Sequence, residues 1–375
     1  MVPGAAVMRL RTLLSSVFRV TGTALPPNVL LMAKLIVVAL VANGYHLGFP
    51  DVFAPFFGVF EIIPAPWWRR FLKIAFAISA IGLLFNRAVR INCLIIGCVF
   101  LAAALSSRLY YRNAKVFVGV IMLLAGLQEK GRPPVLIWWQ LSIVYLGAGL
   151  NKLCEADWRS GQFFDYFLTD IYASEIYAAA ATLLPTPWLA FALCWSVIAA
   201  ELGAGLLLLR RRGHAPAIWL AAAVHIGAAI LVVGDYGVFL AAILASYLCT
   251  YDWPQGVTVV FRPRTAWQLL ARVWGWFEPD ANIHWRQSQS VGKLRVLAGG
   301  RRFIGFSAVW RLLSWTPAVY FLLVALLTVP AGFGRVIAVR AAGVVGAMIL
   351  AASLIIGVRR ACRRFKGHTM EVSRS

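Results

Sequence analysis

Residues 187–209 read PWLAFALCWSVIAAELGAGLLLL, a run of 23 positions with a single charged side chain, Glu201. A bilayer core about 30 Å thick needs about 20 mostly apolar residues per helical crossing, so this run has the length and character of a spanning helix. A carboxylate in such a helix costs roughly 2.5–3.5 kcal/mol unless it is paired or faces water. Glu201 is therefore expected to face the interior of a helix bundle. It could serve there as a partner in a helix-packing hydrogen bond, as the counter-ion of an arginine, or as a proton-relay or ligand-contacting group.

Working outward, comparable apolar stretches lie at 28–48, 71–86, 91–107, 114–128, 134–153, 215–234 and 237–250, and two more at 317–333 and 336–358. The fold class expected is mainly α, a polytopic transmembrane helix bundle of about 8–10 spans. Composition agrees: the 375 residues are 61% hydrophobic and 13% charged, with a mean hydropathy of +0.78, against roughly 45–50% apolar in ordinary soluble domains. Lys and Arg number 36 against 14 Asp and Glu, a net charge of +22. In so apolar a chain that excess points to anionic lipid, and no nucleic-acid motif is present.

The distribution of charge sets an expected topology. With the N-terminal arm (Arg9, Arg11, Arg19) inside, alternation puts Arg87/Arg90, Lys130/Arg132 and Arg210–Arg212 inside too, and the acidic connection 154–186 outside. Arg69/Arg70 and Arg108/Arg112 run against that rule. The arm, residues 1–27, lacks a long apolar core followed by a small-residue cleavage site, so it is expected to be retained as a cytoplasmic amphipathic segment. A bacterial cytoplasmic (inner) membrane suits this arrangement.

Residues 251–316 break the hydropathy pattern. Val257–Phe261 (VTVVF) reads as a strand, the stretch Trp267–Trp276 as a helix, and Gly299-Gly300 as a turn, predicting a small α/β segment on the cytoplasmic face. The six cysteines are scattered, with no CxxC. No histidine pair has metal-ligand spacing, and no metal site is expected.

The stretch richest in candidate chemistry follows Gln140: LSIVYLGAGLNKLCEADWRSG, residues 141–161. Gly147 and Gly149 give its helix a close-packing surface, and Lys152 sits near the helix end. Lys152 has two readings. It can snorkel, its stem along the helix and its ammonium in water. Alternatively it can be held partly out of water, where desolvation disfavours the ammonium and leaves a base. His225, in mid-span, reads equally as a proton-transfer group or as a satisfied interhelical hydrogen bond. Asp157-Trp158 and the aromatics Phe163, Phe164, Tyr166 and Phe167 read as an interfacial anchor, or as a lid over a lipid or quinone entrance.

Tyr145, Ala148, Gly149, Lys152 and Leu153 (Y-x-x-A-G-x-x-K-L), followed by Asp157, Trp158 and Gly161 (D-W-x-x-G), resemble the signature of the HTTM (horizontally transferred transmembrane) domain family. That family is related to the membrane region of vitamin K-dependent γ-carboxylases. Glu201-Leu202-Gly203-Ala204-Gly205, the intramembrane His225 and Gly237-Val238-Phe239 continue the resemblance, which covers about residues 25–255. It implies that Lys152 matches the lysine that acts as base toward the reduced quinone cofactor. Two features depart from the carboxylases: Asn151 stands where they resemble a double lysine, and there is no long β-rich lumenal region. Glutamate carboxylation is not expected.

VTVVF, Gly300–Ala308 and Thr316-Pro317 resemble the DCC-type thiol-disulfide oxidoreductase domain, which is thioredoxin-like. Where that family carries D-G-D-C-x-x-C, this chain has Arg262-Pro263-Arg264-Thr265-Ala266-Trp267, so the thiolate needed for exchange is missing. On this reading 317–333 belongs to the module; on hydropathy it crosses the bilayer. The expected domains are thus the arm at 1–27, an HTTM-like bundle at 28–250, a degenerate thioredoxin-like segment at 251–333, and a hydrophobic helix with basic tail at 334–375. The leading expectation is a bundle that binds or acts on a quinone or lipid-like ligand. Lys152 would be the base, with Glu201 and His225 as further catalytic groups and Tyr145, Gly149, Asp157, Trp158 and Phe239 lining or packing the site. The alternative is a non-catalytic scaffold whose α/β module recruits a protein partner.

Overall fold

The computed structural model describes residues 16–184, 186–231, 237–254, 256–263, 265–277, 283–289 and 292–327. The first part of the N-terminal arm, the expected helix at 336–358 and the basic tail lie outside the described residues. The chain is mainly helical with one small mixed sheet. It divides into two compact units, one of residues 16–138 with 237–327, the other of residues 139–231.

The first unit opens with α1 (Pro27–Ala42), whose proline at the start is preset for the first helical turn. The helix is apolar and mostly buried, and it ends earlier than the run 28–48 suggested, because Gly44 at φ +71° turns the chain. Lys34, fully buried in its middle, donates hydrogen bonds to the carbonyls of Val17 (2.7 Å), Arg19 (2.8 Å) and Ser16 (3.1 Å). Those carbonyls carry partial negative charge at the end of a short helical stretch, where an ammonium is favoured.

Then come α2 (Ala65–Leu84), α3 (Val89–Ser106) and α4 (Asn113–Leu127). α3 and α4 meet through glycines: a Cβ on Gly97 would lie 2.7 Å from the Leu123 nitrogen, and one on Gly126 2.8 Å from the Arg90 carbonyl. Such close approach is the packing mode of helices that lack a hydrophobic drive to associate. The end of α3 holds both the loop before α2, through Phe53 N–H donating to Ser106 O (3.0 Å), and α2 itself, through Trp68 Nε1 donating to Ser106 Oγ (2.9 Å). The discordant cations at this end are partly answered locally. Arg69 pairs with Asp51 at 3.1 Å, Arg70 lies over the Trp67 ring and Arg108 over Phe56.

α5 (Val135–Cys154) leads into the second unit, where α6 (Ala156–Ser160) and α7 (Gln162–Tyr166) are single turns; a π-helical turn at Phe167–Ile171 and α8 (Glu175–Ala181) follow. Ser174 caps α8, its hydroxyl accepting from Tyr177 N–H. α9 (Thr186–Leu208) and α10 (His214–Leu231) pack together across the tight turn Arg211–Gly213.

The chain then returns to the first unit with α11 (Gly237–Ser246) and the α/β module. β1 (Val257–Phe261) is the strand the β-branched run predicts, and α12 (Thr265–Phe277) covers it; β2 (Ile283–Gln287), β3 (Arg295–Ala298) and β4 (Arg301–Ile304) complete a sheet of order β2-β1-β3-β4. β1 is parallel to β2 and antiparallel to β3, and Gly299-Gly300, at φ +54° and +73°, closes the β3–β4 hairpin as such two-residue turns require. Val257, Val259 and Phe261 alternate into a core shared with Trp267 and Trp274 of α12 and with Ala308 and Leu312 of α13 (Phe306–Ser314). α14 (Pro317–Leu327) leaves α13 at an angle of 73°.

Among the described residues, two helices are long and apolar enough to cross a membrane, Val89–Ser106 and Pro187–Leu208, and the bent pair α13–α14 makes a third if its halves cross as one. α1, α4 and the segment Ala241–Thr250 are apolar but shorter. The expectation of 8–10 spans thus exceeds what the helices show by length and composition. The reasons are local: turns cut the apolar runs short, and α2 carries Arg69, Arg70 and Lys73 in its first turns.

Candidate functional site

Lys152 lies in the last turn of α5, yet its side chain does not run on toward the helix end. It folds back over the preceding turn, 3.5 Å from the Ala148 carbonyl, and donates to both carboxylate oxygens of Glu201 on α9 at 2.8 and 3.0 Å. The lysine side chain is 20% exposed and the glutamate 11%. A forked ion pair in an apolar setting neutralises both charges and offsets the cost of desolvating each.

Glycine brings the two helices close enough for this contact. A Cβ on Gly149 would fall 2.8 Å from the Leu202 side chain and one on Gly205 2.6 Å from that of Leu146. Between them Ser142 Oγ donates to the Gly205 carbonyl at 2.7 Å. Of the two glycines expected to form a packing surface, Gly149 does so; Gly147 faces open space and is not part of it.

Trp158 supplies the floor. It is buried against Cys194 and Ile198 of α9, and its ring centroid is 5.1 Å from the Lys152 ammonium, within cation–π reach. The D-W-x-x-G spacing has a mechanical cause. Gly161 holds φ +88°, and a Cβ there would meet the Phe191 backbone nitrogen at 2.6 Å, so only glycine lets this turn press on α9. Beyond it the aromatics stack inward: Trp158 on Phe163 at 4.2 Å, Phe163 on Phe167 at 5.1 Å, and Tyr172 on the edge of Phe167 at 4.7 Å. Asp157 stays exposed, in the first turn of α6, and Tyr166 is exposed as well.

Tyr145 and His225 form a second polar contact in the same unit, with 2.9 Å between the phenol oxygen and Nε2. His225 is thereby supplied with an interhelical partner, while Tyr145 is only 2% exposed. Phe239 belongs to the other unit, where its ring meets Phe117 edge-on at 5.8 Å.

Tyr177 was not singled out by its sequence context. Its hydroxyl donates to Asp165 Oδ1 at 2.9 Å beneath the aromatic cluster, and burial, reinforced by that carboxylate, pushes its pKa well above the usual phenol range. Lys34 was missed as well, although a lysine inside an apolar run is a signal that sequence alone displays.

Among the described residues no group of three or more His, Cys, Asp or Glu gathers as metal ligands would. A cavity of about 430 Å³, lined by residues including Phe53, Pro55, Glu61 and Pro64, lies in the first unit and holds none of the expected site residues. A scan against protein-family models finds no match to this chain, and searches of curated proteins and of solved structures find none either.

Proposed function

We propose that the chain is a multi-pass membrane protein, HTTM-like in its helical part, that binds a quinone or lipid-like ligand beside the Lys152–Glu201 pair. The observation that carries this reading is the pair itself: two opposite charges kept in an apolar helix interface over a tryptophan face. Two apolar residues would pack such a contact at no desolvation cost, so the retention of charge favours a use for it. The pair holds one proton between two groups. Passing it from the ammonium to the Glu201 carboxylate leaves a neutral amine, which can then take the proton of a quinol hydroxyl. Tyr145 and His225 offer a second proton-holding contact. The basic α/β module sits on the cytoplasmic side of a bacterial inner membrane in this reading, and its mixed four-stranded sheet, with β1 parallel to β2, is what favours calling it thioredoxin-like.

One observation favours a second reading, a non-catalytic scaffold that recruits a protein through the module: the β1–α12 connection carries Arg262 and Pro263 and no cysteine, so thiol exchange is unsupported there. Mass spectrometry of small molecules extracted from protein purified in mild detergent separates the two. Retention of a quinone or isoprenoid lipid by the wild type and its loss from Lys152→Ala supports ligand binding. Bulk phospholipid alone in both, with a stoichiometric protein partner, supports the scaffold.

A further inference from the structure

Phe306, Trp310 and Leu313 recur at i, i+4 and i+7 on α13, and the first two are 80% and 47% exposed. The opposite side of the helix, Ala308 and Leu312, is buried in the module core. A helix that is apolar on two faces needs a second apolar surface besides its own core. The chain indicates which one. After Trp315 and Thr316 it enters α14, which is apolar over its whole described length, with Leu322 and Leu323 61% and 49% exposed. The two helices diverge by 73°. With α14 entering a bilayer steeply, a helix so bent from it lies near the plane of the membrane surface, with its outward stripe toward the acyl boundary.

Charge points the same way. Residues 292–327 contain Lys293, Arg295, Arg301, Arg302 and Arg311 and no acidic residue. Lys293 lies beside Gly305 at the start of α13, Arg301 is on β4 directly before it, and the Arg311 guanidinium sits 5.4 Å over the Phe303 ring at its flank. Cations around an aromatic stripe are the arrangement that binds anionic headgroups while burying rings at their depth.

We propose that α13 is an interfacial anchor that docks the α/β module on an anionic phospholipid surface, Phe306 and Trp310 inserting and Lys293, Arg301 and Arg311 meeting lipid phosphates. This rests on the membrane reading above, and the test keeps the two separable. In the full-length protein with its native cysteines replaced, a nitroxide is placed in turn at Phe306→Cys, Trp310→Cys, Leu322→Cys and the exposed reference Gln287→Cys. Each protein is reconstituted into phosphatidylcholine vesicles with and without phosphatidylglycerol, and collision with oxygen is compared with collision with a water-soluble nickel chelate. The oxygen-to-nickel ratio at 306 and 310 is expected to be several-fold above that at 287 and below that at 322. Lys293→Glu/Arg301→Glu is expected to lower it in the phosphatidylglycerol vesicles alone. Labels at 306 and 310 as open to nickel as 287, with 322 still shielded, overturn the docking and leave the membrane reading standing. Shielding from both reagents at 306 and 310 means protein covers the stripe, and also overturns it. Insensitivity to phosphatidylglycerol and to charge reversal overturns the headgroup recognition. A label at 322 open to nickel overturns the docking and the membrane reading together.

Discussion

Glu201 accepts both of its short hydrogen bonds from one donor, the Lys152 ammonium, 49 residues earlier in the chain. Removing one partner strands the other charge between apolar helices. Lys152→Met is expected to destabilise the protein by about 3 kcal/mol, and the double variant Lys152→Met/Glu201→Leu to recover most of that loss. Thermal unfolding in detergent of the two single variants and the double variant measures it. Additive losses would show that the two side chains are not coupled.

The three glycines near this pair have unequal roles, and alanine substitution separates them. Gly161→Ala must adopt φ near +88° and meet the Phe191 backbone, so a loss of about 1–3 kcal/mol is expected. Gly149→Ala presses on Leu202 and should also destabilise. Gly147→Ala meets nothing and lies inside a helix, so it should be neutral or stabilising by about 0.5–1 kcal/mol. Melting temperatures of the three variants give the order directly.

Tyr177 gives stability a dependence on high pH. Its folded pKa is raised by burial and by Asp165, so its contribution is whole below the unfolded phenol value of about 10 and is lost as pH rises beyond it. Tyr177→Phe is expected to be less stable at neutral pH, by about 1 kcal/mol for the lost hydrogen bond, yet to lose less on going to alkaline pH. Tyr110, also raised by burial, is present in both proteins and cancels in the comparison. Parallel pH profiles would remove the assignment.

Lys34 ties residues 16–19 to α1. Replacing it with methionine takes a charged donor from three carbonyls, at about 1.5–3 kcal/mol for hydrogen bonds of this kind. Trypsin should then cut after Arg19 faster in Lys34→Met than in wild type, with the rest of the digestion pattern unchanged. Equal rates would mean that the segment is held by other contacts.

Much of this site was legible locally. The run at 187–209 had to be a helix and its lone carboxylate had to find a partner, whereas Gly161 stood out only in the D-W-x-x-G resemblance, and its turn against Phe191 came with the structure. The strand Val257–Phe261 was written in β-branched residues. Gly147 and Gly149 could not be told apart, because both sit in one helix and which of them meets Leu202 depends on how α9 crosses it.

By itself the sequence determined that most of this chain is helix and where the α/β module begins, because period and hydropathy act over a few residues at a time; the turns that end helices short of the apolar runs came with the structure. Only the tertiary structure decided which polar groups meet. Lys152 takes Glu201, Tyr145 takes a histidine 80 residues away, and Lys34 takes the backbone carbonyls of residues 16, 17 and 19. Hydropathy assigns each of these groups the same need for a partner, and the partner is fixed by helix crossings that glycine contacts set across long stretches of chain.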